Sequence, residues 1–68
     1  MMWKNVNQSN IKELLDGEPI LIKRKSRSYW EVACYNTEYK CFDDSEGDDY
    51  LCDIEDVELY MIVPDFEN

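Results

Sequence analysis

The side chains with most chemical potential in this chain are carboxylates, and they are unevenly placed. Asp43, Asp44, Glu46, Asp48, Asp49, Asp53, Glu55, Asp56 and Glu58 follow one another closely, with Tyr50 among them. Residues 41–68 carry eleven acids and no base, a charge of −11, while residues 1–40 carry five acids and all seven bases, +2. Clustered carboxylates can bind calcium, work as a general acid and base, or meet a cationic partner. A calcium loop needs Gly at its sixth position and Glu at its twelfth. Starting at Asp44 puts Asp49 in the glycine position, and placing Gly47 sixth puts Phe42 first, so neither register fits. Acid–base catalysis near neutral pH lacks its usual residue, because the chain has no His. No nucleophile elbow or phosphate-binding glycine loop occurs, and Lys40 beside Cys41 is the only basic neighbour of a thiol. The expectation is a protein that is not an enzyme, with no cofactor.

Cationic docking is the remaining chemistry. An acidic run that serves only solubility commonly intersperses bases to relieve repulsion, and none is interspersed here. A field of this kind steers a basic partner and raises its on-rate. The chain's overall charge of −9 makes direct binding of nucleic acid unfavourable, since phosphate is repelled. It suits a protein whose Lys and Arg ordinarily hold phosphate. If Asp53, Glu55, Asp56 and Glu58 lay along a strand, same-face carboxylates about 6.6 Å apart would form a row resembling a nucleic-acid backbone. The predicted partner-binding residues are therefore the nine acids named above with Tyr50, and Tyr50 or Tyr60 is a candidate aromatic anchor.

Cys34, Cys41 and Cys52 are odd in number and widely spaced, and without His they do not make a zinc set. They read as small hydrophobes in a reducing compartment. Met1-Met2-Trp3-Lys4 leads into the polar run 5–10, so no secretory leader is expected. No apolar run approaches the length of a membrane span. The expected location is cytoplasmic.

The elements that must position these residues follow from periodicity. A single domain over residues 1–68 is expected, which is small for a hydrophobic core. Ile11, Leu14 and Leu15 stand at i, i+3, i+4, with Asn10 before them and Gly17 after, which predicts a short helix over 10–16. Segments 19–25 and 29–35 read as strands joined by a turn, 38–42 as a shorter one, and 57–63 as the last, ended by Pro64. The acidic segment 43–49 reads as an extended, solvated loop, and 50–56 is ambiguous, with a helical turn as its one suggested reading. The predicted fold class is α+β: an antiparallel meander of three or four strands packed with one short N-terminal helix. The predicted core is Trp3, Ile11, Leu14, Leu15, Ile20, Ile22, Trp30, Val32, Cys34, Leu59 and Met61. Leu21, Ala33, Tyr35, Tyr60 and Ile62 would lie on an opposite face apolar enough to form a homodimer.

Trp3, the segment from Glu13 to Ile22, Val32-Ala33-Cys34-Tyr35 and the closing Leu59-Tyr60-Met61-Ile62-Val63-Pro64 resemble a group of small phage and prophage domains of unknown function. The resemblance implies a β-rich fold and a phage or mobile-element origin, and carries no catalytic residue across. Small acidic phage proteins without catalytic groups are often inhibitors of host defence, including anti-CRISPR and anti-restriction factors. The leading expectation is such an inhibitor, binding a basic nucleic-acid-handling host protein through the acidic half, with DNA mimicry as one mode. The alternative is a structural or assembly module that dimerises through the apolar face.

Overall fold

Pro19 to Arg24 alternates buried and half-buried positions, the period-two pattern of a strand with one face on a core. In the computed structural model, which describes residues 3–7, 9–46 and 49–62, this segment is central to a six-stranded antiparallel sheet. The strands are β1 (Lys4–Asn5), β2 (Pro19–Arg24), β3 (Trp30–Asn36), β4 (Cys41–Asp44), β5 (Tyr50–Asp53) and β6 (Val57–Met61). Their order is β1-β6-β2-β3-β4-β5, so β2 to β5 form a meander and β6 returns to the far side of β2.

That return forces the sheet to curl. Were it flat, the path from β5 to β6 would cross four strand spacings, about 19 Å. Only Ile54–Asp56 make the connection, as one 3₁₀ turn, and three such residues rise about 6 Å. The ends of the sheet must therefore approach each other around the core, and the near-equal extents of 26 × 25 × 24 Å agree. Two bulges increase the curl. Glu58 is the extra residue where β6 passes Lys23 and Arg24, and Leu51 is the extra residue where β5 passes Phe42 and Asp43. Lys25 N–H donates to Asp56 C=O at 2.8 Å, tying the crossover to the end of β2.

The enclosed face carries Ile20 and Ile22 from β2, Ala33 and Tyr35 from β3, Phe42 from β4, Cys52 from β5, and Val57 and Tyr60 from β6, with Leu14 laid across them. Burying each large apolar side chain contributes about 1.5–3 kcal/mol. This corrects the predicted phase of two strands. Ala33, Tyr35 and Tyr60 face inward, while Val32, Cys34, Leu59 and Met61 lie on the outward face, half-buried. The inner face of β3 includes Glu31, a charge that needs a partner there. Arg24, on the same inner face, holds it with a bidentate pair at 2.7 and 2.8 Å, their side chains 13% and 17% exposed. A paired charge can close the end of a core where an unpaired one cannot.

The predicted N-terminal helix is absent, and the fold is mostly β. Ile11–Glu13 form one 3₁₀ turn, and Leu14 is already extended at φ −77°, ψ 132°. The seven residues of segment 10–16 are too few to repay helix nucleation, and Leu14 gains its burial without a helix. Gly17 instead takes φ 78° in the turn Leu15–Glu18, closed by Glu18 N–H donating to Leu15 C=O at 3.3 Å. A positive φ at that position favours glycine. Leu15, predicted core, is 67% exposed.

The N-terminal segment is anchored differently. Fully buried Tyr60 sends its hydroxyl to Glu13 Oε2 at 2.6 Å, and Lys4 Nζ reaches the same oxygen at 2.8 Å. Trp3 and Trp30, both predicted core, stack with ring centroids 3.4 Å apart and remain 38% exposed. Because β6 and β2 lie between β1 and β3, the stacked indoles bridge the outward face over those two strands.

Candidate functional site

Asp43, Asp44, Asp49 and Asp53 lie at the end of the sheet that β4 and β5 form. Of segment 43–49, predicted as a free loop, the described residues are tied to the sheet: two extend a strand and Asp49 is hydrogen-bonded back to it. Asp43 and Asp44 belong to β4, paired with Cys34 and Ala33 of β3. Asp44 N–H donates to Asp49 C=O at 2.7 Å, and Asp44 Oδ1 accepts Glu46 N–H at 2.9 Å, an Asx-type closure of the turn. Asp48 lies outside the described residues, as do the predicted strand end at Val63 and Pro64 and the tail beyond.

Segment 50–56, ambiguous in sequence, divides into strand and turn. Tyr50 and Asp53 bound β5, and Tyr50 Oη donates to Asp53 Oδ1 at 2.7 Å. Asp56 Oδ2 accepts Asp53 N–H at 3.0 Å, one arm of a capping box at the start of the 3₁₀ turn. Glu55 is exposed on that turn. Glu58 stands at the β6 bulge, where Lys23 Nζ meets its Oε1 at 3.0 Å. The predicted strand-like row of Asp53, Glu55, Asp56 and Glu58 therefore does not form: a strand end, a 3₁₀ turn and a bulge separate its members.

Among the described residues, Lys23–Glu58 is the one ion pair between a base and an acid past Cys41. Arg24 serves Glu31 and Lys4 serves Glu13, both in the N-terminal part. The basic hairpin thus neutralises little of the acidic edge. The field left there acts on neighbouring groups. The Tyr50 phenol is pushed up to about 12, first by its hydrogen bond to Asp53. Burial and then Asp43 raise the Cys41 thiol, which is the opposite of an activated nucleophile. Cys52 is raised to about 11, mainly by burial. Cys34, Cys41 and Cys52 are thiols on three adjacent strands. Among the described residues no three side chains gather as metal ligands.

An outward groove of about 420 Å³ runs along this edge, lined by Asn36, Tyr39, Cys41, Asp43, Tyr50 and Asp53. Tyr39 and Tyr50 are 75% and 62% exposed. Tyr60, the other candidate anchor, is unavailable because it is in the core. Sequence reasoning missed Tyr39 and Asn36 by extending a strand over 38–42. The chain turns there instead: Asn36 Oδ1 accepts Tyr39 N–H at 3.0 Å, and Lys40 adopts φ 54°. Asn36-Thr37 read correctly as the start of a turn, but that turn runs on through Lys40, where the strand was expected.

No family model matches the chain, and neither a curated protein nor a solved structure matches it. Among the described residues no helix is long and apolar enough to cross a membrane.

Proposed function

We propose that this chain is a small non-enzymatic inhibitor of phage type, which docks its acidic edge against a basic, nucleic-acid-handling protein of a bacterial host. The observation that carries the reading is the uncompensated charge. Asp43, Asp44, Glu46, Asp49, Asp53, Glu55 and Asp56 sit on hydrogen-bonded strand and turn backbone with no cation of the described chain paired to them. Holding like charges together costs stability, and a basic partner would recover that cost. Their placement around a hairpin and a turn favours a compact patch over a phosphate-like row.

The test should spare carboxylates that close turns. Glu46, Asp49 and Glu55 are exposed, and among the described residues their side chains make no hydrogen bond. Affinity capture from bacterial lysate should retain a basic nucleic-acid-binding protein at low salt, release it at high salt, and lose it to added DNA. Changing Glu46, Asp49 and Glu55 together to Lys should abolish capture. Undiminished capture by that variant would refute the reading.

A second reading, self-association through the outward face, draws on the Trp3–Trp30 stack and half-buried Leu21, Val32, Leu59 and Met61. The residues to change are Trp30 and Met61. Tyr35, inside the core, is unsuitable. Sedimentation of Trp30→Glu against the unaltered chain decides it: a dimer must become a monomer.

A further inference from the structure

The groove on the acidic edge combines features that an acidic surface alone does not have. Two exposed phenol rings and two carboxylates share it, and its floor is the buried Cys41. The carboxylates are held in place by the fold: Asn36 Nδ2 donates to Asp43 Oδ2 at 3.0 Å, and Tyr50 Oη to Asp53 Oδ1 at 2.7 Å. A carboxylate has about four acceptor positions, so each retains capacity for a further donor. The volume, about 420 Å³, equals the liquid share of about fourteen waters, room for one long side chain.

No base of the described chain occupies the groove. Lys40, adjacent to Cys41 in sequence, lines a separate groove with Lys12, Ile11 and Leu14. Rings and carboxylates together select among cations. An ammonium is a compact, strongly hydrated charge, whereas a guanidinium is planar, more weakly hydrated, stacks on aromatic faces and donates in a fork.

Resting on the docking role proposed above, we infer that this groove is an arginine receptor: a guanidinium from the partner's basic surface lies against Tyr39 and Tyr50 and donates to Asp43 and Asp53. The arrangement gives the edge a specific anchor within a general electrostatic field, and makes an Arg the partner residue whose removal costs most.

The test uses two fluorescently labelled probe peptides, identical except that one carries two arginines and the other two lysines, titrated at low salt. The unaltered protein should bind the arginine peptide about fivefold more tightly than the lysine peptide. The Tyr39→Ala, Tyr50→Ala double variant should lose that preference, with affinity for the arginine peptide falling further than affinity for the lysine peptide. Tyr50→Phe, which keeps the ring, should retain the preference. Both substituted positions are exposed, and an unchanged far-ultraviolet circular dichroism spectrum checks that the fold survives. Equal affinity of the unaltered protein for the two peptides, or a preference that survives the double Ala variant, overturns the inference. If both peptides bind alike and salt releases them, the groove assignment falls and the acidic docking edge stands. If neither binds, both fall.

Discussion

Removing one oxygen atom from the core tests how the N-terminal segment is fixed. Tyr60→Phe deletes the hydroxyl that donates to Glu13 at 2.6 Å and keeps the fully buried ring. A hydrogen bond to a charged group contributes about 1.5–3 kcal/mol. Glu13 is about a third exposed and keeps Lys4, so water recovers part of the loss and the expected cost is about 1–2 kcal/mol. In a domain of this size that lowers the melting temperature by about 6–12 °C. Urea unfolding should show a lower midpoint with an unchanged slope. Glu13→Ala should cost less, since the hydroxyl can then turn to Asn10 C=O at 3.1 Å. The double variant should reveal a coupling of about 1 kcal/mol. A Tyr60→Phe protein as stable as the original, or strictly additive effects, would show that residues 10–14 are not held in this way.

Arg24→Met strands Glu31 at the end of the core and should cost about 2–4 kcal/mol, whereas Arg24→Met with Glu31→Leu should return within about 1 kcal/mol of the original; a double variant worse than the single, by urea unfolding, contradicts the pairing. A cycle of Trp3→Ala and Trp30→Ala should give about 0.5–1.5 kcal/mol of coupling, and zero coupling means that the indoles do not stack in solution. Stability should also fall at both ends of the pH scale. Lys4 and then Tyr60 hold Glu13 below its ordinary 4.5, so its contribution is present above that value and lost as pH falls through the lowered one. Burial and then Glu13 raise Tyr60, so its contribution is present below 10 and lost as pH rises beyond. Melting curves of Tyr60→Phe should show a shallower alkaline decline, and identical slopes would refute the assignment.

The sequence located β2, β3 and β6 because Pro19, the β-branched and aromatic residues, and the segment before Pro64 mark strands by composition. It could not settle which face of β3 is inside. Trp30, Val32 and Cys34 are as apolar as Ala33 and Tyr35, and Glu31 tips the balance only if Arg24, seven residues earlier, is ignored. The helix over 10–16 failed for a related reason. Ile11, Leu14 and Leu15 satisfy helical spacing, yet Leu14 alone reaches the core and Gly17 serves a turn. Strand β5 was hidden by its flanking acids, which read as loop. At the candidate site the acids themselves were evident from composition, but their arrangement depends on a crossover and two bulges that local periodicity does not encode. Tyr39 became part of the groove only because Asn36 turns the chain.

The short outer strands also bear on solubility. A row of unpaired backbone N–H and C=O groups invites another chain to add on. Here one boundary strand has two residues, and the other has four with Asp49 beside it and Asp53 at its end. A would-be fibril would find a very short template on one side and a repelling one on the other, so the carboxylates can keep copies of this molecule apart even before any partner arrives.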